Sequence, residues 1–306
     1  MDISVCIATY RRAERLAAVL DDLVRQELLP RAVVVVDNEA AGSARDVVEA
    51  RRRMGAPFPI YYDIQPVQNI ALTRNRTIEL ASGEWLAFID GDERAPTPWL
   101  ARLAAAAVQH GADGVLGPVV PVMPPDAPAW IRRGAFYNWP RMRTGEVIPV
   151  NRLRFGNVLL RGSFLRACEP PFDPAYGLTG GEDGDLLGRL FQRGARIVWC
   201  DEAVVHEPVE QSRLSLRWLL LRGLRGGQDY ARHTLSGSYG RVTPIVRARL
   251  LLRAGVQLAA AAGLALLSWP FGRHRAAHWL IRMYANLGKL TVFWGWHYRE
   301  YARGPQ

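Results

Sequence analysis

At 306 residues the chain can bury a sizeable core, and its 49% hydrophobic and 22% charged content excludes a disordered chain. The formal charge of +10 comes from 39 Lys and Arg against 29 Asp and Glu, with Lys289 the sole lysine; no nucleic-acid-binding module accompanies it, so no nucleic-acid partner is expected and the charge points to a membrane surface or phosphorylated substrates. Cys6, Cys168 and Cys200 are odd in number and lack C-x-x-C spacing, which excludes a disulfide framework or zinc cluster and implies a reducing, cytoplasmic compartment.

The opening residues Met1-Asp2-Ile3-Ser4-Val5 carry no basic segment followed by an apolar one, so no signal peptide is expected. Short apolar runs then alternate with amphipathic helical patterns, which predicts an α/β fold with a mostly parallel central sheet flanked by helices. Residues 3–8 read as the first strand, a helix carrying Leu16, Val19, Leu20 and Leu23 follows, and the apolar run 32–36 ends at Asp37. Residues 60–64 form a third strand. A helix over 71–81, stopped at Gly83, leads into a strand over 85–89 that delivers Asp90 at its carboxyl end, where open α/β sheets bind ligands. Over 118–154 prolines and aromatics are dense and periodicity is lost, predicting an ordered excursion without regular elements. A strand over 155–160, a helix over 185–192 and a strand over 196–200 complete the pattern, which is helical thereafter. The boundary falls near Glu210, between a catalytic domain (1–210) and a C-terminal helical region (211–306).

In that region residues 254–269 are apolar except for Gln257 and Ser268, a stretch shorter than the roughly 20 residues of a spanning helix. Arg247, Arg249 and Arg253 precede it, and Arg273 and Arg275 follow Pro270. Residues 276–298 mix Trp279, Tyr284, Trp294, Trp296 and Tyr298 with Arg282 and Lys289. Cations are costly in hydrocarbon, whereas aromatics and cations on one helix suit the headgroup region. The expected arrangement is peripheral or monotopic attachment at the cytoplasmic face of the membrane, with a spanning helix or a soluble bundle as alternatives.

Asp90-Gly91-Asp92 places two carboxylates one residue apart at a strand end. Asp90 can accept from ribose hydroxyls while Asp92 binds Mn²⁺ or Mg²⁺, the cation that would neutralise a departing nucleoside diphosphate; Gly91 lets the backbone come close. Alone, D-x-D is a common loop triplet. Here Val5-Cys6-Ile7-Ala8-Thr9-Tyr10-Arg11-Arg12, Val33-Val34-Val35-Val36-Asp37-Asn38, Ala71-Leu72-Thr73-Arg74-Asn75-Arg76 and Ala81-Ser82-Gly83-Glu84-Trp85 precede it in order, and Gly181-Glu182-Asp183 follows. From about residue 3 to 208 this series resembles the family 2 glycosyltransferases, with the GT-A fold of the nucleotide-diphospho-sugar transferases. The resemblance implies that Thr9 and Tyr10 cradle the nucleotide, that Asp37 accepts from the base, and that Arg74 and Asn75 belong to the nucleotide-sugar site. It also implies that Asp183 is the general base, that Glu182 and Asn157 lie on the acceptor side, and that His206 is a further metal ligand.

The residues leave alternatives at several of these positions. Asp37 can accept a ring N–H of uracil or guanine, or cap the next helix. Arg12 can fork onto phosphate or stand solvated. Arg74 and Asn75 can face the site or solvent, and the acids at 182–185 can cap their helix. Asn157 can hold sugar hydroxyls or the backbone of a bend; His206 can be a ligand or a satisfied core or surface residue; Tyr137 and Trp139 can stack on a sugar or pack in a core. The expected activity is inverting transfer of a sugar from a nucleotide-diphosphate donor, a UDP-sugar favoured over a GDP-sugar, to a saccharide or lipid-linked acceptor in cell-surface polysaccharide synthesis. Gln211-x-Arg213 and Arg217-Trp218 do not reproduce the Q-x-x-R-W spacing of processive members, so processive synthesis is not expected. A sugar-phosphate nucleotidyltransferase would open with a Gly-rich loop, which Ala8-Thr9-Tyr10-Arg11-Arg12 lacks. A non-catalytic, membrane-tethered nucleotide-sugar-binding protein would not need both acidic pairs.

Overall fold

The structure, a computed structural model, describes residues 1–301. The chain forms two compact units, one of Met1–Val120 and Trp139–Glu207, the other of Pro121–Asn138 and the chain from Pro208. In chain order the first part contributes β1 (Ile3–Thr9), α1 (Ala13–Val24), β2 (Ala32–Asp37), α2 (Arg45–Arg53), β3 (Ile60–Ile64), α3 (Ile70–Leu80), β4 (Trp85–Phe88), α4 (Trp99–Gln109), β5 (Gly114–Leu116) and β6 (Val119–Val122). There follow α5 (Ala129–Gly134), β7 (Val158–Arg161), α6 (Gly162–Arg166), α7 (Glu182–Gln192), β8 (Ile197–Trp199) and β9 (Val205–Pro208). Three long helices, α8 (Leu216–Ser236), α9 (Pro244–Ser268) and α10 (Arg273–Thr291), dominate the remainder.

Seven strands make one sheet in the order β3-β2-β1-β4-β7-β5-β8, parallel except for β7, which runs against both its neighbours. β6 and β9 form a separate two-stranded sheet. Both faces of the large sheet are covered, which is why β1 and β2 read as unbroken apolar runs. Alternation along them feeds two cores: Val5, Ile7, Val33 and Val35 pack with Leu16, Val48 and Leu100, while Cys6, Val34 and Val36 pack with Ala71, Ile78, Leu186 and Leu190. Each such aliphatic side chain contributes about 1.5–3 kcal/mol on burial. All three cysteines are buried free thiols.

The differences from expectation are local. Residues 118–154 include β6 and α5, and 121–138 belong to the second unit rather than the first. β7 begins at Val158 because Gly156, at φ +110°, breaks the extended chain before it. α7 begins at Glu182, where Gly181 at φ +93° turns the chain into the helix, so Glu182, Asp183 and Asp185 all lie in its first turn. A helix N-terminus favours negative charge there.

Buried Asp22 on α1 fixes the chain that follows the D-x-D. It accepts from Arg94 Nε at 2.5 Å and Nη2 at 2.8 Å, from the Ala95 N–H at 3.2 Å, and from Arg25 at 2.8 Å. Desolvation raises its carboxyl, but the Arg94 and Arg25 hydrogen bonds outweigh that and hold it below its ordinary value. A depressed folded pKa stabilises above the unfolded value and is lost as pH falls through the folded one. Asp22→Asn is therefore expected to cost about 2 kcal/mol at pH 7, with the deficit shrinking below about pH 4, as read by urea denaturation across pH.

In the second unit α8 and α10 meet backbone to backbone. A Cβ on Gly227 would lie 1.8 Å from the Ala285 carbonyl oxygen, and one on Gly288 2.0 Å from that of Leu224. Buried Gln228 then ties α8 to the chain end, donating to Thr291 Oγ1 at 2.8 Å and accepting from the Tyr298 N–H at 2.9 Å. Tyr137, also in this unit, is buried and stacks on Trp218 with ring centroids 5.6 Å apart. Pro244–Phe271 is long and apolar enough to cross a membrane, with mean hydropathy 1.8, and 22% of its apolar window is buried.

Candidate active site

The sheet delivers Thr9, Asp37 and the loop Asp90-Gly91-Asp92-Glu93 from the carboxyl ends of β1, β2 and β4. Arg74, near the middle of α3, joins this loop to the second acidic segment. Its Nη2 donates to Asp90 Oδ1 at 3.1 Å and its Nη1 to Glu182 Oε1 at 2.6 Å. The rings of Phe155 and Phe172, 4.7 and 5.7 Å from the guanidinium carbon, enclose it. The Asn69 side chain sets the entry of α3, accepting from the Leu72 N–H at 3.0 Å and donating to the Pro174 carbonyl at 3.0 Å. Gly177 permits that approach, since a Cβ there would stand 1.9 Å from Asn69 Oδ1.

Negative charge accumulates beside this guanidinium. Asp92 Oδ2 accepts from Arg12 Nη1 at 2.5 Å and Arg15 Nη1 at 3.3 Å. Glu93, 2% exposed, accepts the Asp90 N–H at 3.1 Å. Burial first, then the nearby Asp90 charge, pushes the Glu93 carboxyl well above its ordinary value. Desolvation also raises Asp90; Arg74 pulls against it, and Asp92 and Asp183 add to the rise. Of the acids opening α7, Glu182 holds Arg74 and Asp185 holds Arg189 at 2.8 Å. Asp183 is half-buried, and among the described residues its carboxylate accepts only the Gly184 N–H, at 2.8 Å.

Among the described residues no three His, Cys, Asp or Glu side chains are arranged to hold a metal ion. The donor chemistry nevertheless fits Mg²⁺ or Mn²⁺: hard carboxylate oxygens in excess, with repulsion that a divalent cation would relieve. A nucleotide-bound cation of this kind needs one or two protein carboxylates and completes its shell with phosphate oxygens and water. Thr9 Oγ1, buried without a hydrogen-bond partner, lies 3.5 Å from where a Gly91 Cβ would stand, so an unsatisfied hydroxyl adjoins the same loop.

Several expected contacts are spoken for within the chain. Asp37 is fully buried and accepts from Glu39 N, Ser43 Oγ, Ala44 N and Tyr62 Oη at 2.8–3.2 Å, filling the lone pairs a base N–H would need. It organises the β2–α2 turn. Asn75 grips the Phe172 backbone in both directions, donating at 2.7 Å and accepting at 2.8 Å, and so holds the ring that covers Arg74. Asn157 is a core hub: it accepts from Trp99 Nε1 at 2.8 Å and donates to the carbonyls of Pro118 and Ala203 at 3.1 and 2.6 Å. His206 pairs through its backbone with Arg94 at 2.8 and 2.9 Å and joins no three-ligand group among the described residues. Gly91 is not at positive φ, and a Cβ on it would meet only ordinary contacts from 3.4 Å, so folding alone does not demand glycine there. Glu93 was not anticipated; its signal was the acid directly after the D-x-D.

Residues 4–158 match the family described as Glycosyl transferase family 2. The chain is 39% identical over 246 residues to the succinoglycan biosynthesis protein ExoM of Rhizobium meliloti (strain 1021), covering 78% of this chain and 77% of ExoM. The chain belongs to glycosyl transferase family 2. This glycosyltransferase is also 27% identical to the glycosyltransferase AglE of Haloferax volcanii over 82% of its own length and 90% of AglE. Its fold is shared with the mannosyltransferase PcManGT from Pyrobaculum calidifontis, solved with GDP-Man and Mn²⁺, at TM-score 0.66 and 17% identity over 96% of this chain and 87% of that one. It is shared too with TarS 1-349 of S. aureus, solved with UDP-GlcNAc, at TM-score 0.57 and 17% identity over 98% and 93% of the two chains.

The raised Glu93 carboxyl has a stability consequence for the transferase. A folded pKa above the unfolded value means the folded chain holds more protons, so stability falls as pH rises through that window. Glu93→Gln keeps an acceptor oxygen and removes the charge. It is expected to raise Tm at pH 8 by about 3 °C in the absence of nucleotide and cation, the gain fading toward pH 4. A lower Tm at pH 8 would show that the charge is compensated.

Proposed function

We propose that this glycosyltransferase moves a sugar from a nucleotide-diphosphate donor, a UDP-sugar in preference to a GDP-sugar, to a saccharide or lipid-linked acceptor, with inversion, in cell-surface polysaccharide synthesis at the cytoplasmic face of the membrane. The observation that carries the mechanism is the contrast at the start of α7: Glu182 and Asp185 are held by arginines, whereas the Asp183 carboxylate, beside Asp90, accepts only a neighbouring N–H among the described residues. The polysaccharide assignment is supported by the likeness to ExoM, named for succinoglycan biosynthesis, and the donor class by neighbours solved with UDP-GlcNAc and GDP-Man.

In this reading the acceptor hydroxyl oxygen attacks the anomeric carbon opposite the leaving group. Asp183 takes the hydroxyl proton as the new C–O bond forms, and the old bond's electron pair leaves on the diphosphate oxygen. Asp92, with Asp90 beside it, would hold Mg²⁺ or Mn²⁺, which supplies charge neutralisation at the leaving diphosphate. Arg12 and Arg15, which neutralise Asp92 in the structure, stand where they can turn to phosphate once its charge is otherwise met. Thr9 Oγ1 and the partly exposed Tyr10 offer a hydroxyl donor and a ring face to the nucleotide. Asp90 remains the ribose acceptor, its other oxygen turned to Arg74.

Asp183→Asn is expected to lower nucleoside-diphosphate release by about 10³-fold while leaving calorimetric nucleotide affinity within about threefold of the parent. Normal turnover in that variant would remove Asp183 as the base.

A further inference from the structure

Of the two roles open to Trp139, stacking on a sugar or packing in a core, the second does not describe a residue that is 52% exposed. The ring is nonetheless held in place. The guanidinium carbon of Arg154 stands 4.8 Å from its centre and 5.5 Å from that of Trp199, which is 3% exposed, so one cation spans an outer and an inner indole. Asp201 ties the two indole-bearing segments together. Its carboxylate accepts from Trp199 Nε1 at 3.0 Å and from Arg141 Nε at 2.6 Å, while Arg141 Nη2 donates to the Asp201 carbonyl at 2.6 Å. Single exposed apolar residues are ordinary on a protein surface. A half-exposed indole braced by a stacked guanidinium, on a segment clamped by a second arginine, is preorganised for a ligand.

Sheet topology relates this stack to the acidic site. Trp199 ends β8, and β8 runs in the same direction as β4, so Trp199 and Asp90 stand at the same carboxyl edge. Trp199 also packs in the core that holds Phe155, Leu186 and Leu190, on the side of the sheet covered by α7, whose first turn carries Asp183. Arg154 precedes β7, whose antiparallel course starts at that edge. β8 lies three strands from β4, about 14 Å at the usual strand spacing. That exceeds the width of one sugar ring. A sugar stacked on Trp139 is therefore not the one whose hydroxyl reacts but one further along the same saccharide. A pyranose with equatorial hydroxyls has a face of C–H groups that suits the negative face of an indole, and the guanidiniums and carboxylate at the margin of this ring suit its hydroxyls.

We propose that Trp139, with Arg141 and Arg154 beside it, is a subsite for a sugar of the acceptor saccharide that lies beyond the residue glycosylated at Asp183. The proposal rests on the saccharide-acceptor reading and adds that the acceptor is an oligosaccharide held at a distance from its reacting end. β-(1→4)-linked glucose oligomers, whose rings present C–H groups on both faces, are the probes. Calorimetry on the full chain would compare cellobiose with cellotetraose, with tryptophan emission recorded in parallel. The expected result is about tenfold tighter binding of cellotetraose, accompanied by a blue shift of the emission. Trp139→Ala should bring the length preference to about twofold or less. Trp139→Phe should restore it to about fivefold yet abolish the blue shift, and both variants should keep the parent Tm. A length preference unchanged in Trp139→Ala, or a loss that Trp139→Phe does not restore, would overturn the subsite. Equal binding of the two oligomers by the parent chain sinks the subsite and leaves the saccharide-acceptor reading standing. Binding of neither, with cation-dependent UDP binding intact, sinks that reading and the subsite with it.

Discussion

The buried guanidinium of Arg74 is what allows two acidic segments from distant parts of the sequence to share one place. It binds Asp90 and Glu182 at once, and the Phe155 and Phe172 rings keep water from it. Removing one partner of a buried ion pair costs about 3–5 kcal/mol, because the other charge stays behind. Much of the local fold serves that one side chain: Asn69 and Gly177 set the start of its helix, and Asn75 pins Phe172 against it. One cation does not balance the carboxylates it gathers. Arg12 and Arg15 answer Asp92, yet Asp90 and Glu93 still hold their protons more tightly than free carboxyls do. Residual negative charge therefore gathers at the carboxyl ends of parallel strands, where open α/β sheets bind ligands.

The division of labour follows from how each acid is held. Asp90, Asp92 and Glu93 ride on a loop held from behind by Asp22 through Arg94 and Ala95, so their positions are set by the sheet and α1. Asp183 sits on a helix whose first turn is entered through two glycines at positive φ, and among the described residues it has no arginine partner. A group that must change protonation state gains from being less tightly held than its neighbours. In the proposed mechanism, leaving-group binding at the D-x-D is therefore separate from proton removal at Asp183.

The strands were legible because two-sided burial writes itself as apolar runs, and β1 to β4 fall where those runs predict. α2 and α4 were not: α2 buries Val48 alone among its residues, and alanines blur the stripe of α4. At the site, residue type was readable and partnership was not. Asp37, Asn75 and Asn157 are short polar side chains, as well suited to satisfying buried backbone groups as to holding a ligand, and in the structure each meets buried backbone. Arg74 was found by its place in the motif, but its link to Glu182 depends on how α3 and α7 lie on the sheet. In the helical unit, the apolar stretch and its flanking arginines were visible. Trp139 was visible as a ring, whereas its place over Arg154 exists only once the chain before β7 meets the end of β8.

Under the proposed function, the carboxylate excess around Arg74 is matched by a divalent cation arriving with a nucleotide. Calorimetric titration of the unmodified chain with UDP and with GDP, each with and without Mn²⁺, measures that match directly. Binding is expected to tighten about tenfold or more with Mn²⁺ and to be stronger for UDP than for GDP. Nucleotide binding of equal strength with and without the cation would contradict it.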